Sequence, residues 1–137
     1  MNKISLNGNY KLYITDGKNI TGGKNPDFDG VCLNGLGEPV DAGVPGNVEL
    51  DLMRANLLPD LYFADNIKKA EYLESKDFVY VKDFEFSSDN DCHRELVFKG
   101  VDTIAEYYLN GVKIGESENA FVEYRFSVDN VLKNGSN

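Results

Sequence analysis

The sequence predicts an all-β fold, an antiparallel jelly-roll β-sandwich with one or two short helices. Residues 77–86 place aromatic side chains at nearly every second position, the pattern of a strand with one buried face. Residues 103–109 are rich in β-branched and aromatic side chains, which suit a pleated sheet. Asn110 and Gly111 follow, and this dipeptide favours a type I′ turn that returns the chain over residues 112–115.

The first strand is predicted near the N-terminus, because apolar and more polar residues alternate over positions 10–14. Residues 15–43 carry many glycine and asparagine residues, which indicate turns and loops rather than a core element. Within this region we expect short edge strands at Ile20 and at residues 31–33.

One helix is predicted near residues 47–56. Asn47 suits the N-cap position, apolar residues follow at helical spacing, and Pro59 requires the helix to end before it. Glu49 and Asp51 have two explanations. They are either a catalytic carboxylate pair or charges favoured by the helix dipole in the first turn, and the dipole explanation is preferred.

The second half of the chain completes the predicted sandwich. We expect one helical turn over residues 66–72 and a single long strand over residues 75–86. Lys82 interrupts the apolar face of that strand, and a bulge beside it would restore the alternation. Residues 121–126 are predicted to form a further strand, and residues 134–137 to trail away from the fold.

Composition excludes several classes of function. The 137 residues fit one domain, and the formal net charge of −9 argues against a nucleic-acid partner. No apolar run is long enough to span a bilayer, so no membrane partner is expected. The first residues lack the continuous apolar core of a signal peptide, which favours a cytoplasmic location.

The residue types that bind metals or form disulfides are sparse. Cys32 and Cys92 cannot define a disulfide framework, and His93 is the only histidine, so no histidine-based triad can be built. The acidic turns at residues 27–30 and 89–91 match no EF-hand loop. We therefore expect no metal and no cofactor.

Three segments resemble one known family. Residues 98–126, FKGVDTIAEYYLNGVKIGESENAFVEYRF, are similar to the signature of the N-terminal sugar-binding domain of glycoside hydrolase family 2. Residues 44–52 and 59–66, VPGNVELDL and PDLYFADN, are similar to a run found in its β-mannosidase-like members. The resemblance covers residues 6–133 and implies a galactose-binding-domain-like sandwich that packs against a catalytic barrel.

The resemblance also implies that the chemistry lies outside this chain. In the family two glutamates of the barrel are catalytic, and no segment here is similar to either, so we name no catalytic residue. Asn119 matches an asparagine of the family signature and is the one predicted substrate-binding residue. Its amide can donate to and accept from a sugar hydroxyl, or it can satisfy backbone groups of its own loop.

Asp102 and three tyrosines of the signature also have expected roles. Asp102 is expected to hold a turn through backbone hydrogen bonds. Tyr107, Tyr108 and Tyr124 would suit stacking on sugars, but strand alternation favours packing in the core for some of them.

The resemblance implies an accessory sugar-binding domain of a retaining β-mannosidase-like hydrolase, catalytically silent alone, that helps to shape the glycone site. Its expected partners are a carbohydrate, preferably a β-linked mannoside, and the catalytic barrel of the same protein. A stand-alone carbohydrate-binding module and a purely structural domain are the alternatives. Family relatives also act on β-galactosides and β-glucuronides, so the substrate class stays open.

The end of the sequence carries one further expectation. In the family another core strand follows the segment that matches residues 132–135. Residues 1–137 are therefore expected to be one sugar-binding domain cut before its last strands and before the barrel. Because an unpaired strand edge invites pairing with another chain, we expect self-association.

Overall fold

The computed structural model describes residues 3–16, 24–25, 28–29, 37–88 and 92–137, with the backbone alone at residues 24–25 and 28–29. This described part consists mainly of antiparallel strands with two short helices, so the predicted all-β class is confirmed. The jelly-roll order of the strands stays a prediction. The elements in chain order are β1 (Gly8–Thr15), β2 (Lys24–Asn25), β3 (Phe28–Asp29), β4 (Val40–Val44), α1 (Val48–Arg54), a 3₁₀ helix (Asn66–Ser75), β5 (Asp77–Val81), β6 (Glu85–Phe86), β7 (Glu95–Phe98), β8 (Ala105–Leu109), β9 (Val112–Ser117), β10 (Tyr124–Ser127) and β11 (Gly135–Ser136).

The chain divides into two compact units. Unit 1 comprises residues 1–21 and 33–82, and unit 2 comprises residues 22–32 and 83–137. Within unit 1 the described strands form one antiparallel sheet in the order β4–β1–β5. Within unit 2 the described pairs are β2–β3, β6–β11, β7–β10 and β8–β9.

The core of unit 1 lies between its sheet and its two helices. Leu12 is fully buried in β1, with Val40 of β4 and Tyr80 of β5 as its register partners. The alternation predicted for residues 10–14 therefore gives the correct buried face. The helical side of the core is a cluster of buried Leu52, Leu58, Ala70 and Leu73, against which Ile14, Val48 and Phe78 pack.

Both helices begin near the predicted positions. The Asn47 side chain accepts a hydrogen bond from the Leu50 backbone N–H at 2.9 Å, so the predicted N-cap is confirmed. Helix α1 ends at Arg54, before Pro59 as expected. The 3₁₀ helix spans Asn66–Ser75 and is longer than the single predicted turn, because its apolar side chains Ala70 and Leu73 are buried in the core.

The single strand predicted over residues 75–86 is wrong, because it is interrupted at Lys82. Strand β5 ends at Val81, and the Lys82 ammonium donates to the backbone carbonyl of Asn9 at 3.0 Å. The same ammonium lies 4.8 Å from the centre of the Tyr10 ring. A cation at an apolar position is thus accommodated by partners on β1, and the strand stops before it.

The chain end is ordered, contrary to the prediction that residues 134–137 trail away. Strand β11 pairs with β6, and the backbones of Phe84 and Asn137 exchange two hydrogen bonds of 3.0 and 2.9 Å. The Asn137 amide also donates to the Lys133 and Gly135 carbonyls. Short polar residues gave no apolar alternation from which this pairing could be predicted.

Unit 2 contains the predicted hairpin and an aromatic core. Asn110 and Gly111 have φ values of 49° and 82°, so the turn with two positive φ angles is confirmed. Strand β9 continues two residues beyond its predicted end, to Ser117. The Tyr107 ring lies 4.0 Å from Phe98 and 5.2 Å from Phe126, measured between ring centres. This packing connects β8 to the β7–β10 pair.

Several predictions fall where side chains are not described. The edge strands expected at Ile20 and residues 31–33 lie outside the described residues, as does Cys32, and the side chains of the acidic turns at 27–30 and 89–91 are likewise not described. The strand predicted over residues 121–126 is shorter than expected, because β10 begins at Tyr124. Phe121 and Val122 lie in a turn and a bend before it. In the described ranges no helix is long and apolar enough to cross a membrane.

Candidate functional site

Two loops of unit 2 meet at one end of the β8–β9 hairpin, and we call residues 99–104 and 118–123 the loop pair. Ala105 is the register partner of Ser117, so the loop that precedes β8 and the loop that follows β9 lie at the same end. A Cβ on Gly100 would lie 2.9 Å from the carbonyl oxygen of Ala120, so the two loops are in contact. This close approach requires a residue without a side chain at position 100.

Asn119 lies in the loop pair, where its side chain fixes the local backbone. Its Oδ1 accepts a hydrogen bond from the Phe121 backbone N–H at 2.9 Å, which is an Asx turn. In the described part of the chain the Asn119 amide nitrogen has no hydrogen-bond partner, and the residue is exposed. The oxygen therefore stabilises its own loop, and the N–H₂ donor remains available at the surface.

Large apolar side chains of the same loop pair are exposed rather than packed. Phe121 is 98% exposed and Ile104 is 86% exposed, and Val122 is also exposed. An aromatic side chain that buries almost nothing contributes almost nothing to folding of the domain, since burial is the source of hydrophobic stabilisation. The loop pair thus combines a rigid polar group with apolar groups available to another surface.

The three tyrosines of the signature lie on strands, outside the loop pair. Tyr107 is buried, and its hydroxyl is hydrogen-bonded to Ser117 at 2.8 Å. Tyr124 stacks on Phe126 with the ring centres 6.4 Å apart. Core packing is therefore confirmed for Tyr107, whereas Tyr124 is only half-buried.

Tyr108 belongs to a charged cluster on the surface of the hairpin. Its hydroxyl donates to Glu106 at 2.8 Å, and the Lys113 ammonium binds the other oxygen of Glu106 at 2.6 Å. The hydrogen bond from Lys113 lowers the pKa of Glu106 below its usual range. Partial burial, with a contribution from Glu106, raises the pKa of Tyr108. The ring is consequently held in place by this cluster.

Asp102 does not hold the turn in the predicted way. Its carboxylate accepts a hydrogen bond from the hydroxyl of the neighbouring Thr103, and the described residues provide no backbone N–H to it. The residue is exposed within the loop pair.

Glu49 and Asp51 both lie in helix α1, but Glu49 is half-buried whereas Asp51 is fully buried. Asp51 lies in the first turn, as the dipole explanation predicts, but its side chain is completely buried, which the sequence did not indicate. Its Oδ1 accepts from Arg54 Nη1 at 2.6 Å and from the Gly43 backbone N–H at 3.2 Å. Its Oδ2 is buried with no hydrogen-bond partner among the described residues.

Burial, with a smaller contribution from the charges of Asp51 and Glu49, raises the pKa of the nearby Tyr80 to about 12.

A second charged cluster surrounds His93 and was not predicted. His93 Nδ1 lies 2.5 Å from Asp129 Oδ2, and the other oxygen of Asp129 accepts from the Arg94 backbone N–H at 2.7 Å. The hydrogen bond to Asp129 raises the pKa of His93, and the same bond lowers the pKa of Asp129. These residues are 36 positions apart, so no local sequence signal could connect them. The cluster joins the start of β7 to the segment after β10.

Comparison with known proteins assigns the fold and the signature to one family. Residues 27–137 match the family described as glycosyl hydrolase 2 galactose-binding domain-like. The chain is 30% identical to the β-mannosidase of Capra hircus over 133 residues, which cover 95% of this chain and 13% of that protein. It is 35% identical to the β-mannosidase of Rattus norvegicus over 94 residues, which cover 67% of this chain and 11% of that protein.

A solved structure supports the same assignment. The crystal structure of a β-D-mannosidase from Dictyoglomus thermophilum matches with a TM-score of 0.81 and 30% sequence identity, covering 99% of this chain and 15% of that chain. This chain therefore spans a small part of the length of these relatives. The family match over residues 27–137 and the structural similarity support the same assignment. This chain belongs to the glycosyl hydrolase 2 galactose-binding-like domain family.

Proposed function

We propose that residues 1–137 form an accessory sugar-binding domain of a retaining β-mannosidase-like glycoside hydrolase, that it packs on the catalytic barrel, and that it helps to shape the glycone site. The observation that carries this proposal is the loop pair. It presents the free amide donor of Asn119 beside the fully exposed ring of Phe121 on a loop fixed by an Asx turn.

The exposed apolar groups of the loop pair supply the contact with the catalytic domain. Large apolar side chains that stay exposed in a well-packed domain are typical of interaction surfaces. Phe121 and Ile104 would be covered by the barrel, and an aromatic anchor of this kind contributes a large share of the energy of an interface. The Asn119 amide would then lie at the margin of that interface, where it can donate to a sugar hydroxyl.

The proposed domain is catalytically silent by itself. A retaining glycosidase needs two carboxyl groups about 5–5.5 Å apart on either side of the scissile bond. Asp51 is fully buried and bound to Arg54 and Gly43, so it cannot serve as one of them. Both catalytic carboxylates would come from the barrel. The relatives named above support a β-mannoside as the substrate class, ahead of a β-galactoside or a β-glucuronide.

A stand-alone carbohydrate-binding module is the second candidate function, and one observation favours it. Tyr62 and Phe63 are adjacent in unit 1 and are 84% and 70% exposed. Their loop is held by Asp60, whose carboxylate accepts from the Tyr62 N–H at 2.9 Å. A pair of exposed aromatic rings on a hydrogen-bonded loop suits stacking on the apolar face of a sugar. Binding of mannobiose that is lost in Tyr62→Ala and unchanged in Asn119→Asp would favour this alternative.

Two substitutions at Asn119 separate its proposed role from its local one. In the full enzyme that carries this domain, Asn119→Asp keeps an oxygen to accept from Phe121 N–H but removes the N–H₂ donor. We expect kcat/KM for an aryl β-mannoside to fall about tenfold, which corresponds to about 1.4 kcal/mol of transition-state stabilisation. Asn130→Asp introduces the same charge at an exposed position of unit 2 and serves as the control.

The two roles predict different orders of the variants. If Asn119 only stabilises its loop, Asn119→Asp retains full activity and Asn119→Ala loses it, because only alanine removes the acceptor. That order would overturn the substrate-binding role. Loss of activity in Asn119→Asp as well as in Asn119→Ala, with the control unchanged, is the result that the proposal requires.

A further inference from the structure

A cleft lies in unit 1, where strand β4 meets the end of helix α1. Its volume is about 550 Å³, within the range of roughly 300–1,000 Å³ found for small-molecule sites. The residues that line it include the polar Asn9, Glu38 and Arg54 and the apolar Val40 and Leu57. All of these residues belong to unit 1, whereas the loop pair belongs to unit 2.

The arginine of this cleft is fixed in place by a buried carboxylate. Arg54 Nη1 donates to Asp51 Oδ1 at 2.6 Å, and Asp51 has no exposed surface. The rest of the guanidinium has no hydrogen-bond partner among the described residues, and the side chain is 63% exposed. Gly43 lines the cleft beside it, and a Cβ there would lie 3.6 Å from Nη1. The guanidinium is thus held with its remaining donors available.

The other polar groups of the cleft complement this donor. Glu38 offers a carboxylate and Asn9 an amide, and neither side chain has a hydrogen-bond partner in the described ranges. Asp41 also lines the cleft, but Lys11 binds it at 2.5 Å. With Arg54 paired to its buried aspartate, no excess of positive charge remains to attract an anion. Hydroxyl groups, which both donate and accept, fit a charged donor, a charged acceptor and an amide together.

We propose that this cleft is a second saccharide-binding site of the domain, separate from the loop pair. Arg54 and Glu38 bind ring hydroxyls, and the exposed side chain of Leu57 contacts the apolar face of the sugar. The inference rests on the proposed function only in its choice of a mannoside as the probe.

The test is a titration of the ¹⁵N-labelled chain with β-1,4-mannobiose, followed by NMR. We expect amide shifts at Gly43, Ala55 and other residues of the cleft. Glu38→Ala and Arg54→Lys should each weaken this binding about tenfold, the size of one hydrogen bond to a charged group. Glu74→Ala, an exposed carboxylate of the 3₁₀ helix, is the control and should leave binding unchanged.

The position of the shifts separates this inference from the proposed function. Shifts confined to Ala120 and Phe121 would overturn the second site and leave the loop-pair site standing. Shifts at the cleft with none at the loop pair would support the second site and count against the role of Asn119. Because Glu38 is exposed and makes no contact that the fold needs, unchanged affinity in Glu38→Ala would also overturn the proposal.

Discussion

Gly115 allows the ring of Phe126 to pack directly against strand β9, so Gly115→Ala should destabilise the chain. Gly115 lies on β9, directly against the ring of Phe126. An added Cβ would lie no more than 2.6 Å from three carbons of that ring. Carbon atoms pack at about 3.5–4.0 Å, so the ring or the strand would have to move by roughly 1 Å or more.

Phe126 has little room for that movement. Its ring centre lies 5.2 Å from Tyr107 and 6.0 Å from Phe98, so displacing it disturbs both neighbours. Adding a methyl group to a packed core costs about 1–3 kcal/mol. For a chain of this length that corresponds to a fall in Tm of roughly 3–10 °C, measured by thermal unfolding followed by circular dichroism.

Two variants test the steric explanation. Gly37→Ala adds a methyl group with no atom within 4 Å, so it should leave stability unchanged or raise it by up to about 1 kcal/mol. Combining Gly115→Ala with Phe126→Leu should cost less than the sum of the two changes, because the smaller side chain relieves the overlap. An unchanged Tm for Gly115→Ala, or strict additivity in the double variant, would refute the reasoning.

Three further predictions concern single sites. Gly111→Val should cost about 1–2 kcal/mol, because its φ of 82° is strained for a β-branched residue; an unchanged denaturation midpoint would contradict this. Asp51→Ala should cost about 1–3 kcal/mol in urea unfolding by leaving the Gly43 N–H unpaired, less than for a fully buried ion pair since Arg54 stays 63% exposed. Because the pKa of His93 is raised, its pairing with Asp129 stabilises the fold below about pH 6.5, and this contribution is lost as pH rises through the raised pKa. The stability difference between wild type and His93→Gln should therefore shrink with rising pH. A constant difference would contradict the pairing.

Local sequence rules predicted the elements whose cause is local. The hairpin turn follows from the conformational freedom of Asn110 and Gly111, and the start of α1 follows from the Asn47 cap. The end of β5 does not follow from such rules, because Lys82 is stabilised by groups on β1 more than seventy positions away.

The local features of the candidate site could be predicted from the sequence, and its long-range contacts could not. The family signature makes Asn119 a candidate, whereas its Asx turn and the exposure of Phe121 depend on the path of the loop and could not be predicted. The dipole argument placed Asp51 in the first turn of α1 and could not show its burial, which requires Gly43 of β4 and Arg54 as partners. Pairings between distant segments carry no signal in one sequence.

The central proposal is that this chain serves a β-mannosidase-like enzyme whose chemistry lies in another domain. The direct test is to measure hydrolysis of an aryl β-mannoside by the purified 137-residue chain and by the native protein that contains it. We expect no turnover by the chain alone and hydrolysis with retention of configuration by the native protein. Turnover by the chain that is abolished by a substitution within it, or a native protein that cleaves no β-mannoside, would contradict the account.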